Sequence, residues 1–467
     1  MLDASFRNVF ESFRNIWAIQ DLRKRVLFTF ALLAVYRIGC NIPTPGVNPG
    51  ALLELMEQVQ GTMLGFLNTF TGGSLAKAAV FALGIMPYIT SSIILQLLTV
   101  VWPYLEKLSK EGELGRRKIT QYTRYGTLVV SIIQSASISF FVEGVITPGG
   151  ASLVTHPGWG FRLMTILTLT TGCAFVMWLG EQISERGIGN GISLIIFGGI
   201  VIGLPGAIAT TWAKVNTGDL QAFILLPLVV FMLLVTGFIV FMEKSQRRIP
   251  VQYAKRVVGR RVYGGQNTYL PLRVNTGGVI PVIFASSVVT VPSAIAGLFK
   301  AEWLQSVADA LRWGQPMYYL LYVAAIIFFS YFYVSIIFNP QDTADNMRKY
   351  GGFIPGIRSG RRTAEYIDRI LTRLTLIGSV YLAAVSVLPE FLLFGFKVDG
   401  IPFIGDTLDA YTPAFITQGL GITFYFGGTS LLIVVGVAMD FVQQIESQLV
   451  MRNYDGFLKK GRIRGRR

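Results

Sequence analysis

The stretch Gly61 to Leu98, GTMLGFLNTFTGGSLAKAAVFALGIMPYITSSIILQLL, decides how the chain is built. Its first part comprises Met63, Leu64, Gly65, Phe66, Leu67, Asn68, Thr69 and Phe70 and is closed by Gly72 and Gly73. That run is far shorter than the ~20 apolar residues of a spanning helix. Backbone that stops partway through a membrane is tolerated only inside protein or beside a water-filled cavity. Residues 61–73 therefore read as a re-entrant plug beside an aqueous pocket. The next part, Ala76 to Val101, is long enough to cross, but Gly84 and Pro87 weaken its middle. Thr90, Ser91, Ser92 and Gln96 give it a polar stripe, so this helix lines something wet or movable. A Pro-kinked packing helix behind an ordinary loop gives the same pattern, and the rest of the chain must decide.

Composition points the same way. Hydrophobic residues make up 52% of the chain and charged residues 14%, the balance of a polytopic membrane protein. Cys40 and Cys173 are too few for a disulfide framework and read as packing residues. The single histidine, His156, leaves little room for histidine-based acid–base chemistry or metal ligation, so neither a metal nor a cofactor is expected. Met1 to Leu22 is polar and amphipathic rather than signal-like, and the apolar run after it reads as a retained span. Phe6, Val9, Phe10, Phe13, Ile16 and Trp17 recur at helical spacing with Arg7 and Arg14 between them, which predicts a surface helix over Ser5 to Leu22.

Ten hydrophobic stretches follow, centred on Leu32, Tyr88, Ser135, Leu169, Ile202, Phe231, Val289, Ile327, Ala384 and Val434. The net charge of +15 must lie outside the lipid, because a Lys or Arg at a helix centre costs about 2.5–3.5 kcal/mol. Basic clusters precede span 1, follow spans 2, 6 and 8, and fill the tail; Gly39 to Ser74 and Glu143 to Gly160 contain no Lys or Arg. The alternation puts both termini in the cytoplasm. The short Ala213 to Leu220 loop divides the crossings five and five, which orients the halves oppositely and permits an inverted repeat with a central pathway. Ten helices without internal symmetry fit the hydropathy equally well. The expected organisation is a cytoplasmic amphipathic segment at 1–22 and an N-terminal half at 23–219 carrying the plug. A C-terminal half at 220–450 carries cytoplasmic loops at 243–275 and 339–373, and a basic cytoplasmic tail covers 451–467.

No catalytic constellation is visible, and an enzyme is not expected. The Gly187 to Gly191 run, GIGNG, follows a hydrophobic helix rather than a strand, so it reads as a tight turn and not a phosphate loop. Ion-coupled transporters keep ionisable residues at membrane depth. Here Arg37, Glu181 and Asp440 lie near span ends, and the centres offer isoleucine instead: Ile85, Ile89, Ile192, Ile196, Ile283 and Ile433. On helices facing one axis they form a collar that obstructs water and ions by dewetting and binds no particular solute. Isoleucine in a membrane helix ordinarily faces lipid or core, so the collar depends on that shared axis. Glu243 to Arg273 alternates Arg and Lys pairs with Val and Tyr around Gly259 and resembles a projecting hairpin. In the second loop Pro355 and Gly356 present Arg358 at a turn. Exposed arginines on rigid projections suit phosphate or carboxylate; simple positive-inside bias accounts for about half of these charges.

Several runs together resemble the SecY family, the channel subunits of the bacterial Sec translocon: FALGIMPYITSSIILQLLTVV, EGELGRRKITQYTRYGTLV, MWLGEQISERGIGNGISLIIF, YAKRVVGRRVY with LPLRVN and GVIPVIFASS, FNPQDTADNMRKYGGFIPGIR, and YFGGTSLLIVV. They cover most of the chain in family order. Ala151 to Gly160 and Val398 to Gln418 depart most and read as local insertions. The resemblance implies an all-α integral membrane channel for unfolded polypeptide in the bacterial inner membrane. Two five-helix halves would be clamped by SecE and accompanied by SecG, with anionic lipid around them and signal sequences as gating ligands. It makes Ile85, Ile89, Ile192, Ile196, Ile283 and Ile433 the counterparts of the pore ring, and Met63 to Gly72 of the plug. Spans 2 and 3 against 7 and 8 correspond to the lateral gate, with Thr90, Gln134 and Ser286 as its polar contacts. Arg247, Arg248, Arg256, Arg260, Arg261 and Arg358 fall where the family docks the SecA ATPase or the ribosome and its rRNA. The competing class is a secondary transporter of a small solute, which would need mid-span charges or a closed solute pocket.

Overall fold

The computed structural model describes residues 19–48, 71–144, 152–217, 222–253, 268–298, 314–394 and 428–460, with single positions and short strands between them. The surface helix expected over Ser5 to Leu22 lies almost wholly outside the described residues, as do the Val398 to Gln418 connection and residues 461–467 of the tail. The elements, in order, are α1 (Gln20–Gly39), α2 (Met86–Val101), α3 (Pro103–Lys110), α4 (Glu113–Gly144), α5 (Trp159–Arg186), α6 (Gly191–Thr217) and α7 (Ala222–Lys244). Strands β1 (Gln246–Tyr253), β2 (Arg256–Val258), β3 (Arg261–Tyr263) and β4 (Thr268–Arg273) follow. The chain continues through α8 (Ile280–Leu298), α9 (Pro316–Ile337), α10 (Pro340–Lys349), β5 (Gly352–Phe353), α11 (Arg361–Phe394) and α12 (Gly428–Lys460). Every expected span centre falls inside a helix, from Leu32 in α1 to Val434 in α12. Six helices, counted among the described residues, are long and apolar enough to cross a membrane on their own.

Span 2 differs from expectation. Its helix starts at Met86, not Ala76, and Thr71 to Ile85 runs as turns. Gly84 has a φ of +54°, outside the helical range, and Pro87 sits in the first helical turn, where its missing N–H costs nothing. The two residues that were to weaken the middle of a helix instead begin one. At its other end α2 turns by 98° into α3.

The chain divides into two compact units, Met1–Ala209 with Val437–Arg467, and Thr210–Gly436. The division falls at 209/210 rather than at 219/220, and the far end of α12 belongs with the first unit. The reason is packing: Phe441, Ile445 and Leu449 lie against buried Leu22 and Ile188.

In the first unit α4 packs between α2 and α5. Thr127, Ser131, Ser135 and Ser139 recur every four residues on α4, all fully buried, so their small side chains let the neighbours approach closely. Ser91 Oγ donates to the Thr123 carbonyl at 3.0 Å, and Ser135 and Thr170 hydroxyls lie 3.2 Å apart. Hydrogen bonds between membrane helices average about 0.6 kcal/mol, so close packing contributes the larger share. The α4–α5 pair is pinned at both ends by ion pairs, Arg124 to Glu181 and Arg162 to Glu143, each at 2.6 Å. Between α5 and α6 the Gly187 to Asn190 turn has Gly189 at φ +93°, and Ile188 N donates to Thr29 Oγ1 at 3.1 Å. The GIGNG run is the tight turn read from sequence.

In the second unit α9 packs against α8 and α11. Strand β1 pairs antiparallel with β4 from Gln246↔Arg273 to Val251↔Thr268, and β2 with β3 from Arg256↔Tyr263 to Val258↔Arg261. Both ladders share one register, each pair of residue numbers summing alike. Gly259 itself lies outside the described residues. Strand β1 also pairs with β5, Gln252↔Phe353 and Tyr253↔Gly352, which joins the two long loops in one sheet.

Candidate functional site

The six isoleucines occupy defined places in the helices. Ile85 immediately precedes α2 and Ile89 follows one turn later, with side chains only 5% and 7% exposed. Ile196 in α6 is buried and Ile192 half-buried. In the second unit Ile283 is half-buried on α8 and Ile433 fully buried on α12. None is exposed, although long apolar side chains on these helices, such as Leu233 and Leu234 of α7, commonly are. A β-branched side chain in a helix keeps essentially one χ1 rotamer, so each presents a stiff apolar surface without donor, acceptor or charge.

The charged residues near span ends are engaged elsewhere. Arg37 Nη1 donates to the Gly72 carbonyl at 2.8 Å, and Glu181 accepts from Arg124. Asp440 is exposed on α12. Cys40 and Cys173 are buried free thiols.

Of Met63 to Phe70 only Asn68 is described; Met63, Leu64, Gly65, Phe66, Leu67, Thr69 and Phe70 lie outside the described residues. Asn68 organises the turn after it. Its Oδ1 accepts from Ala76 N at 2.8 Å, and its carbonyl accepts from Gly73 N at 2.8 Å and from Thr71 Oγ1 at 3.1 Å. Gly72 adopts φ +66°, and a Cβ there would come within 3.1 Å of the Gly199 Cα. Only glycine meets both demands.

The polar stripe of α2 is partly spent on packing. Thr90 Oγ1 donates to the Met86 carbonyl at 3.0 Å within its own helix, Ser91 is buried on α4, and Gln96 Nε2 donates to Ser92 Oγ at 3.2 Å. Gln134 is half-buried on α4, and Ser286 Oγ donates to the Ile283 carbonyl at 2.9 Å within α8. The bonds of Thr90 and Ser286 to Met86 and Ile283 each stay within one helix.

The arginine face has a core that the sequence did not reveal. Ile249 and Leu272 of the hairpin, Ile354 after β5, and Ile367, Ile370 and Leu374 of α11 form one buried cluster. Arg247 and Arg248 project exposed from β1. Arg256 and Arg261 lie on β2 and β3, two residues apart in the pairing register, while Arg260 lies outside the described residues. Ile357 N donates to the Ile354 carbonyl at 3.1 Å and Gly356 has φ +80°, so Ile354 to Ile357 is a type II turn with Pro355 and Gly356 in their favoured places. Arg358 follows it, exposed, its carbonyl held by Thr363 Oγ1 at 3.0 Å. At the hairpin base Asn275 Nδ2 donates to Glu243 Oε1 at 2.6 Å. Neither the β1–β5 pairing nor this closure has a local sequence signal, since both join residues far apart in the chain.

Comparison with known proteins extends the picture over the whole chain. A family model described as SecY matches residues 79–442. The protein translocase subunit SecY of Escherichia coli (strain K12) is 50% identical over 449 residues, covering 95% of this chain and 96% of that one. Two solved structures share the fold across 94% of each chain. One is a SecY whose plug domain stabilises the closed state of the translocation channel and maintains a membrane seal, at TM-score 0.59 and 18% identity. The other is Sec61 in a canine ribosome–channel complex from the endoplasmic reticulum, at TM-score 0.56 and 16% identity. With half its residues identical across nearly the full length of a relative, this multi-pass membrane chain belongs to the SecY family.

Proposed function

We propose that the chain is a protein-conducting channel, moving unfolded secretory polypeptides across the bacterial inner membrane and releasing apolar segments sideways into lipid. The observation that carries this is the 50% identity to a protein translocase subunit along 95% of the chain. Ile85, Ile89, Ile192, Ile196, Ile283 and Ile433 serve as its pore ring, and 63–72 as its plug. An apolar ring has no preference among side chains, so almost any sequence passes while water and ions meet a dewetting barrier.

Gating is a differential-binding switch. The apolar core of a signal sequence, about 7–15 residues, competes with helix packing at the lateral gate, where Thr90, Gln134 and Ser286 supply the polar contacts. The plug then leaves its seat. SecE and SecG complete the membrane complex, with anionic lipid around it and both termini on the cytoplasmic side. Energy comes from SecA or the ribosome, which dock on Arg247, Arg248, Arg256, Arg260, Arg261 and Arg358. The chain itself carries no active site.

The test is reconstitution with SecE and SecG in vesicles, supplied with SecA, ATP and a signal-bearing precursor. Protease-protected precursor inside the vesicles is the expected result. Absence of protection with the complex intact overturns the reading.

A further inference from the structure

Residues 152–155, which the sequence assigns to a local insertion, are built into the first unit. Leu153 is fully buried and Val154 nearly so. Leu153 shares a cluster with buried Leu52, against which Val47, Ala78 and Val142 pack. Val47 and Val154 form an antiparallel bridge; Asn48 N donates to the Leu153 carbonyl at 2.9 Å and Thr155 N to the Gly46 carbonyl at 3.1 Å. The same 42–48 segment is tied at its other end to the chain after the plug. Pro43 bridges Ala79, Thr44 N and Oγ1 both donate to the Ala78 carbonyl at 2.7 and 2.6 Å, and Val80 N donates to the Ile42 carbonyl at 2.9 Å. Arg37 holds the Gly72 carbonyl, and Asn68 ties back to Ala76.

We propose that 152–155 is a clasp that fixes both roots of the plug, 42–48 before it and 73–80 after it. The roots stay in place while polypeptide passes. This rests on the plug reading. The physical advantage is resealing: a segment tethered at both ends stays near its seat at an effective concentration on the order of millimolar.

The flanking bonds of Val47 and Val154 make them a non-hydrogen-bonded antiparallel pair, whose Cα atoms lie about 4.5 Å apart, inside the roughly 4.4–6.8 Å range of disulfides. A Val47→Cys, Val154→Cys chain in its reconstituted complex, with Cys40 and Cys173 buried, is compared oxidised and reduced. Translocation at the same rate in both states is expected, and a block on oxidation overturns the clasp. Leu153→Asp is expected to raise resting ion conductance on the order of tenfold, equivalent to about 1.4 kcal/mol. The oxidised bridge should bring it back down. Unchanged conductance in a folded Leu153→Asp complex also overturns the proposal. Replacing 63–70 by a Gly/Ser linker tests the plug itself. Unchanged conductance there removes the plug, whereas a rise there with none in Leu153→Asp removes the clasp alone.

Discussion

Arg124 Nε lies 2.6 Å from Glu181 Oε1, joining α4 to α5 through a guanidinium that is 44% exposed and a carboxylate that is 17% exposed. The asymmetry sets what its loss costs. Removing the arginine leaves a mostly buried charge unpaired, which costs about 3–5 kcal/mol at full burial. Exposure on the arginine side reduces that toward the surface range of about 0–1 kcal/mol.

Arg124→Ala is therefore expected to destabilise the first unit by about 1–2 kcal/mol, between those limits. Arg124→Ala with Glu181→Gln should recover most of the loss, because no charge is then stranded. Thermal unfolding of the detergent-solubilised complex reads both variants, and equal melting temperatures for the single and double variants would remove the pair from the account.

The collar makes a sharper demand. Replacing Ile89 and Ile196 by Gly removes two stiff apolar surfaces and adds backbone freedom, at about 1 kcal/mol per helical glycine relative to alanine. Resting conductance of reconstituted channels should rise clearly. Ile→Leu at the same sites keeps volume and polarity and should leave the seal nearly intact. A leak of equal size in the Gly and Leu variants would mean that packing, not the apolar ring, holds ions back.

Arg358→Glu isolates docking from folding. The side chain is exposed after a type II turn that its own identity does not shape, so melting should shift by less than about 0.5 kcal/mol. Partner-driven translocation should slow by roughly tenfold, the scale of a lost charge-assisted contact of about 1.5–3 kcal/mol. Gly356→Ala is the complement. It forces an alanine to φ +80° at roughly 1–2 kcal/mol, and should disturb Arg358 without changing charge. Translocation at the normal rate by Arg358→Glu would take this residue out of the docking face.

The residues that were legible in the sequence are those whose structure is set locally. Hydropathy placed Leu32, Ser135, Ile327 and the other span centres in helices because a membrane leaves a spanning chain few alternatives. Pro355 and Gly356 announced their turn, and Gly187 to Asn190 theirs. The start of α2 was misplaced because Gly84 and Pro87 look alike in a kinked helix and at a helix beginning; only the hydrogen bonds of Thr71 to Ala79 distinguish the two. The packing of Phe441 on Ile188 was not legible either, since it joins distant positions. Leu153 was the largest surprise. A segment that departs from the family pattern carries no motif, yet Leu153 within it is fully buried.

The two cytoplasmic loops, separate in sequence, should behave as one body. Ile249 and Ile354 belong to one buried cluster with Ile367, which is fully buried. Truncating Ile367 to Ala should cost about 2–5 kcal/mol locally. Because β1 holds β5 as well as β4, the loss should loosen both loops together. Limited proteolysis then ought to cut the 243–275 and 339–373 segments at the same raised rate, while the spanning helices stay intact. Ile249→Ala and Ile354→Ala combined should cost less than the sum of the two, as neighbours sharing one cavity do. Cleavage of one loop at an unchanged rate while the other is lost would show two independent projections. The arginines of the hairpin and Arg358 could then no longer be treated as one docking surface.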